Sequence, residues 1–153
     1  MDFAITDLAA HFTGTWRLSR DIVAADGEPM GEVTGTATFT RDSTREGVLV
    51  YHETGELRLP GYTGPVSRTL LYHPDGARAA VHFDHGGFFH DLDLATGRWR
   101  TDHPCRDDLY RGEYRVLDAD HWSQEWVVAG PAKDHVITTR FTRASPSATR
   151  TET

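Results

Sequence analysis

Two histidine-rich stretches carry the residue types best suited to chemistry in this chain. The first, HFDHGGFFH, spans residues 82–90, and the second, HPCRDDLY, spans residues 103–110. Together they hold four of the nine histidines and the only cysteine. A carboxylate that orients a histidine, with a phenol nearby, forms an acid–base set. If the chain is an enzyme, we therefore expect its catalytic residues to be His103, Asp108, Tyr110 and His90.

The same stretches contain residue types that bind metals. His103 and Cys105 can supply two soft ligands to zinc or iron, or a base beside a thiol nucleophile. A turn at a barrel rim that holds a small cysteine explains the pair equally well. His82 and His85 lie beside a Gly-Gly turn, but strand alternation places them on opposite faces. The sequence therefore assigns no metal site, and a haem or divalent metal bound by His103, His90 or Cys105 stays an alternative.

Alternation along the predicted strands indicates which side chains face inward. In residues 88–94, for example, Phe88, His90 and Leu92 share the inward face and Phe89 the outward face. Polar groups isolated among aromatic side chains are typical of a ligand cavity, because a dry core would leave them unpaired. We expect ligand contacts from residues of the inward faces and the rim: Phe39, Tyr51, Glu53, Phe88, Cys105, Tyr114, Trp122, Gln124, Trp126 and Lys133.

Two charged residues of this set allow more than one interpretation. In an apolar barrel the pKa of Glu53 would be raised, which suits an acid or a base. Glu53 can equally pair with Arg20 or Arg140 as a structural ion pair. Lys133 is placed to close a cavity mouth or to attract an anionic ligand, although a lysine at such a position is more often solvated.

The elements that position these residues are nearly all strands. Apolar residues at helical spacing predict a short helix over residues 3–12, with Asp2 as its cap. Turn signals then separate ten strand candidates. They span residues 15–22, 31–41, 47–58, 66–73, 78–84, 88–94, 97–103, 110–117, 120–128 and 134–143. Short connections require antiparallel pairing, so the sequence predicts an all-β, single-domain barrel over residues 1–143. Residues 144–153 have nothing to bury, and we expect them to be disordered.

Composition limits the function classes that fit. The chain has 153 residues, enough for one domain, and a net charge of −7. This charge argues against nucleic acid and against an anionic membrane surface as partners. No apolar run approaches the ~20 residues that span a bilayer, and the N-terminal residues lack the pattern of a signal peptide. With one cysteine, these features favour a cytoplasmic protein. The sequence leaves open whether the protein is a monomer or a homodimer.

A family resemblance supports the barrel. The segment FTGTW at residues 12–16 follows the predicted helix and resembles the Gly-x-Trp signature of lipocalins and their calycin relatives. In that family the tryptophan closes one end of an up-and-down barrel. Residues 35–39, 51–55, 103–110 and 130–134 occur in an order that resembles an uncharacterised lipocalin-like family of bacteria and fungi, a domain of unknown function. The nitrobindin type, a ten-stranded barrel that binds haem through a histidine, is a more distant likeness in architecture.

We therefore expect a lipocalin-like barrel that binds a small apolar or aromatic molecule in its cavity. The first alternative is a cofactor-independent isomerase, cyclase or lyase that uses the acid–base residues named above. The second is a haem-binding or metal-binding barrel. No cofactor is predicted.

Overall fold

The computed structural model describes residues 2–144 as one helix followed by ten antiparallel strands. Each predicted strand overlaps an observed one, so the all-β prediction is confirmed. The elements are α1 (Leu8–Phe12), β1 (Gly14–Ala24), β2 (Pro29–Arg41), β3 (Leu49–Leu59), β4 (Tyr62–Asp75), β5 (Arg78–Phe83), β6 (Phe88–Asp93), β7 (Arg98–Cys105), β8 (Asp108–Asp118), β9 (His121–Gly130) and β10 (Lys133–Arg143). The described residues contain no helix long and apolar enough to cross a membrane.

The strands form one up-and-down sheet that curls into a nearly closed barrel. The order in the sheet is β6-β5-β4-β3-β2-β1-β10-β9-β8-β7, so each strand pairs with its neighbour in sequence and β10 returns to pair with β1. Within residues 2–144, no ladder of backbone hydrogen bonds joins β6 to β7. The barrel therefore has one seam, and it lies between these two strands.

Side chains bridge the seam where the backbone ladder is missing. The Trp99 indole N–H of β7 donates to the Asp91 carbonyl oxygen of β6 at 3.1 Å. The Thr101 hydroxyl donates to Oδ1 of Asp91 at 3.0 Å. Two hydrogen bonds to one residue thus tie the facing edges together and satisfy polar groups that would otherwise be left without partners.

The N-terminal helix is shorter than predicted, and its predicted cap is wrong. The helix covers only Leu8–Phe12, and Asp7 caps it by accepting a hydrogen bond from the Ala10 amide at 3.1 Å. The preceding residues are not helical, because the amides of Phe3 and Ile5 donate to carbonyl oxygens at the barrel end, Val116 and Leu94. Docking onto the barrel replaces the backbone hydrogen bonds that a longer helix would have formed. Asp2 pairs with Arg115 instead.

Helix α1 and a cluster of aromatic side chains fill one end of the barrel. Phe12 stacks on Phe39 with ring centres 5.0 Å apart, and Trp122 stacks on Phe141 at 3.9 Å. The indole N–H of Trp16 donates to the Phe12 carbonyl oxygen at 2.9 Å. All five side chains are fully buried. We call this the closed end; it is a packed core, so a ligand can enter only from elsewhere.

A β-bulge in β6 changes which side chains face inward. Val81 pairs with His90 and His82 pairs with Phe88, so Phe89 is an extra residue without a partner across the ladder. Phe89 and His90 both point inward, and Phe89 is only 7% exposed. Phe88 is turned outward and is 57% exposed. The predicted inward orientation of Phe88 is therefore wrong, because one bulge reverses the alternation that precedes it.

The predicted disordered tail over residues 144–153 lies outside the described residues, apart from Ala144. The Ala144 amide donates to the Thr15 carbonyl oxygen at 2.9 Å, which extends the pairing of β10 with β1 by one bond.

Candidate functional site

A cavity of about 530 Å³ lies in the barrel interior away from the closed end. Its apolar wall is formed by Ile22, Val33, Leu57, Val66, Phe83, Phe89, Trp126 and Ile137. Its polar lining is formed by Arg20, Glu53, Ser67, Arg68, His103, Cys105, Tyr110, Gln124 and Thr139. Eight apolar and nine polar residues thus line the cavity. A concave site with apolar walls and converging polar groups is the usual form of a small-molecule site.

Three stacked aromatic rings form one side of the cavity. Phe83 of β5 and Phe89 of β6 have ring centres 4.5 Å apart with planes 19° from parallel. Phe89 and Trp126 of β9 are 5.2 Å apart with planes 18° from parallel. The Trp126 indole lies over Gly112 of β8, where an added Cβ would come within 2.5 Å of its ring. This aromatic column, Phe83–Phe89–Trp126, therefore crosses the inside of the β6–β7 seam and packs against the backbone of β8 at Gly112.

A buried ion pair forms the floor of the cavity. Arg20 of β1 donates from Nη1 to Glu53 Oε2 at 2.7 Å and from Nη2 to Oε1 at 3.0 Å. The Arg20 Nε group donates to the Thr139 hydroxyl at 2.8 Å, and the Tyr51 hydroxyl donates to Glu53. Both carboxylate oxygens of Glu53 and three of the five Arg20 N–H donors therefore have partners, as a stable buried charge pair requires.

The ion pair decides the protonation of Glu53. Burial by itself raises the pKa of Glu53, but the hydrogen bonds and positive charge of Arg20 outweigh it, and the net pKa lies below its ordinary value. The structural ion-pair interpretation of Glu53, with Arg20 as the partner, matches this geometry, and the expected rise in pKa is wrong. Burial and the adjacent carboxylate raise the pKa of the Tyr51 phenol well above its ordinary range. Glu53 is thus a fixed anion and Tyr51 a fixed hydrogen-bond donor.

Two of the four acid–base candidates meet at the cavity. His103 of β7 and Tyr110 of β8 are directly paired across the strands, with ring centres 6.2 Å apart, and both line the cavity. The imidazole of His103 also packs edge-on against Phe89 at 5.0 Å. Cys105 lines the mouth two residues beyond His103 and is exposed.

Asp108 belongs to the rim and does not orient His103. Its carboxylate pairs with Lys133 Nζ at 3.3 Å, and the same ammonium group donates to the Tyr110 hydroxyl at 3.2 Å. Lys133 thus fixes Tyr110 and Asp108 at the mouth of the barrel. Among the hydrogen bonds and ion pairs of residues 2–144, none joins Asp108 to His103, so the expected carboxylate–histidine pair is not formed.

His90 lies behind the cavity wall. Its imidazole is 1% exposed and packs against Phe89 and Trp126. Its Nδ1 is 2.7 Å from the Asp91 carbonyl oxygen, which can only accept, so Nδ1 carries the proton. Nε2 then accepts from the Tyr114 hydroxyl at 3.4 Å. Burial lowers the pKa of His90 to about 4, so the ring is neutral near pH 7.

The remaining predicted ligand contacts separate by their depth in the barrel. Glu53, Cys105, Gln124 and Trp126 line the cavity. Phe39 and Trp122 belong to the closed end and do not line the cavity. Tyr51 packs against Phe39 and Tyr114 stacks on Trp122, so these two do not line it either. Phe88 lies on the outer surface. Alternation places Glu53 of β3 and Gln124 and Trp126 of β9 on the inward face correctly. It carries no information on depth along the barrel axis.

The prediction missed several cavity residues, of which Arg68 and Phe89 matter most. Arg68 is the strand partner of Glu53, and it follows the cavity-lining Val66 by two positions in β4. Alternation along the predicted strand 66–73 was a sufficient signal for Arg68. No sequence signal marks the bulge that turns Phe89 inward. Among residues 2–144, no group of three metal-binding side chains is placed to hold a metal ion.

Solved structures of similar fold are distant in sequence. A protein of unknown function of the DUF3598 family from Nostoc punctiforme matches with a TM-score of 0.67 at 14% identity, over 94% of this chain and 51% of that chain. The chain thus spans about half the length of the Nostoc protein. The S-type phycobiliprotein lyase from Guillardia theta matches with a TM-score of 0.62 at 10% identity, over 90% of both chains. These likenesses show the fold alone.

A de novo designed fluorescence-activating β-barrel also matches, with a TM-score of 0.50 at 15% identity, over 92% of this chain and 100% of the design. No curated protein matches the sequence. The likeness to nitrobindin stays an interpretation of the sequence.

One family model does match, over residues 12–143, a range that includes all ten strands. The chain therefore belongs to DUF6314, a family of unknown function.

Proposed function

We propose that this protein binds a small, mainly apolar or aromatic molecule inside its barrel. The observation that carries the proposal is the cavity of about 530 Å³, with its apolar wall and its converging polar groups. Cavities of roughly 300–1,000 Å³ hold most small-molecule ligands of proteins. Transfer of an apolar ligand from water to such a wall supplies the main free energy of binding.

The site is built in advance of any ligand. The aromatic column is packed on Gly112, and the floor is fixed by the bidentate pair between Arg20 and Glu53. Lys133 holds Tyr110 at the rim. A ligand therefore meets walls that need little reordering, which lowers the entropic cost of binding.

Two neighbours support the proposal at the level of architecture. One is named a phycobiliprotein lyase and the other a fluorescence-activating β-barrel. Barrels of similar fold are thus named for activities that involve a small molecule. The ligand of the present chain has to be identified from its own residues.

A fluorescence titration with N-phenyl-naphthylamine tests the proposal. This uncharged dye is apolar and aromatic, and its emission rises on transfer from water to an apolar site. We expect saturable binding to the wild-type protein at one site. Ile137→Trp adds a ring to the cavity wall, and we expect it to weaken binding by about tenfold or more.

The matched control is Val127→Trp, which places the same ring on the outer surface, beside Trp126 in sequence. It should leave the affinity within about twofold of the wild type. Circular dichroism melts confirm that both variants fold. Absence of saturable binding to the wild type, or equal effects of the two tryptophans, would refute binding in the cavity.

An acid–base enzyme is the second candidate, favoured by one observation. His103 and Tyr110 are paired across neighbouring strands, and both face the cavity. The other expected partners are engaged elsewhere, Asp108 with Lys133 and His90 behind the wall. Native mass spectrometry and an absorption spectrum of the purified protein test this enzyme alternative and the haem-binding alternative. A retained organic guest would name a substrate or ligand class, and a Soret band would indicate haem.

A further inference from the structure

We propose that the ligand is an organic anion whose acidic group is bound by Arg68 at the mouth of the cavity. This inference rests on the proposed function, since it names the chemistry of the molecule that the cavity binds. It starts from the position of Arg68 in β4, where the side chain lines the cavity opposite the floor residue Glu53 in the strand register. The guanidinium carbon lies 5.7 Å from the centre of the Phe89 ring.

The natural partner of Arg68 is already occupied. Glu53 is its neighbour across the strands, yet both carboxylate oxygens of Glu53 are bonded to Arg20, and one also accepts from Tyr51. Among the ion pairs and hydrogen bonds of residues 2–144, none engages the Arg68 guanidinium. Its five N–H donors are therefore without a hydrogen-bond or ion-pair partner among these residues, in a side chain that is exposed and lines the cavity.

The other cation of the mouth is neutralised. Lys133 pairs with Asp108 and donates to Tyr110. The cavity lining itself contains two arginines, Arg20 and Arg68, and one carboxylate, Glu53. It therefore carries one uncompensated positive charge, in a chain whose net charge is −7. A positive site on an acidic protein selects for an anion at that position and against anions elsewhere on the surface.

The geometry also indicates what the anion is attached to. A guanidinium group binds carboxylate, sulfonate or phosphate oxygens through two parallel hydrogen bonds. Arg68 lies beside the aromatic column, so a molecule held by its acidic group at Arg68 places its body along Phe89 and Trp126. The inferred ligand class is thus an amphipathic anion with an aromatic or conjugated body.

A pair of dyes isolates the contribution of the anionic group. Anilinonaphthalene sulfonate has the skeleton of N-phenyl-naphthylamine and adds one sulfonate. We expect Arg68→Met to weaken binding of the sulfonate dye by about tenfold and binding of the neutral dye by less than about twofold. Arg68→Lys, which keeps the charge, should recover much of the loss. Added salt should weaken only the sulfonate dye.

The control for net charge is Arg78→Met, on the β4–β5 hairpin, where the arginine side chain is 77% exposed and remote from the cavity. It should leave both affinities unchanged. Ile137→Trp should weaken both dyes, which places the sulfonate dye in the cavity and not on the surface. Thermal melts of the arginine variants confirm that they fold.

The outcomes separate the two proposals. If the neutral dye fails to bind the wild type, cavity binding itself is refuted. If the neutral dye binds and Ile137→Trp blocks it, cavity binding stands, and the anion inference depends on Arg68 alone. Equal losses for the two dyes in Arg68→Met, no loss for either dye, or no binding of the sulfonate dye to the wild type would overturn the inference.

Discussion

Arg20 and Glu53 are joined by two hydrogen bonds, of 2.7 and 3.0 Å, across the interior of the barrel. The pair links β1 directly to β3, although β2 lies between these two strands in the sheet. It separates the cavity from the closed end. It also uses both carboxylate oxygens, which leaves Arg68 available for a ligand.

Removal of Arg20 alone should be strongly destabilising. Arg20→Met leaves the buried Glu53 carboxylate without its counter-charge, and we expect a loss of about 3–5 kcal/mol in the free energy of unfolding, measured by urea denaturation. The control is Arg140→Met, whose exposed pair with Asp21 is worth about 1 kcal/mol or less. The double variant Arg20→Met with Glu53→Met should recover most of the stability. Equal losses for Arg20→Met and Arg140→Met would contradict the buried pair.

Stability should fall in acid in a way that depends on Glu53. The pKa of Glu53 is lower in the folded protein than its ordinary value of 4.5, so the unfolded state binds its proton more readily. The stabilisation is therefore fully present above pH 4.5 and is lost as the pH falls through the lower, folded pKa. Urea denaturation of wild type and Glu53→Gln across this range should show a smaller acid slope in the variant. An unchanged slope would exclude this linkage.

His90 should contribute a second pH dependence at higher pH. Its pKa is about 4 when folded and 6.5 when exposed, so the unfolded state binds more protons between these values. Stability should therefore rise as the pH increases from about 4 to 6.5, by at most about 3 kcal/mol. The difference between wild type and His90→Gln isolates this contribution, with exposed His121→Gln as the control. Imidazole NMR should show the proton on Nδ1, and a proton on Nε2 at pH 7 would contradict the hydrogen-bond assignment.

Alanine substitutions at two adjacent phenylalanines test the bulge. Phe89 packs in the aromatic column, so Phe89→Ala should cost about 3 kcal/mol or more and weaken binding of the neutral dye. Phe88 is exposed, so Phe88→Ala should change stability by less than about 0.5 kcal/mol. The reverse ranking would show that regular alternation continues through β6.

The seam should be the least protected part of the sheet. Because β6 and β7 share no backbone ladder, their facing amides should exchange with solvent faster than those between β1 and β10. Thr101→Val removes the hydroxyl that donates to Asp91, and we expect a further increase in exchange confined to these two strands. Protection equal to that of β1 would mean that a ladder closes the barrel.

The fold was predictable because its signals are local. Turn residues and alternation within each segment identify ten strands, and short connections leave antiparallel pairing as the only option. Burial of Trp16 under α1 follows the expectation from the Gly-x-Trp segment. The helix was overestimated because Ile5 has helical spacing with Leu8, although the Ile5 backbone is bonded to the barrel end.

The site was only partly predictable, because depth and register are not local properties. Glu53, Gln124 and Trp126 line the cavity as expected, whereas Phe39 and Trp122 have the same inward orientation but belong to the closed end. Which inward residues become core depends on how far α1 reaches into the barrel. The bulge at Phe89 depends on pairing with β5, so no pattern within β6 reveals it.

The most direct test of ligand binding in the cavity is to locate a bound molecule by NMR. Isotope-labelled protein is mixed with unlabelled N-phenyl-naphthylamine, and contacts between dye and protein are read from intermolecular nuclear Overhauser effects. We predict contacts to the methyl groups of Ile22, Val33 and Ile137 and to the ring of Phe89. Contacts confined to outer-surface residues such as Phe88 and Val127 would contradict ligand binding in the cavity.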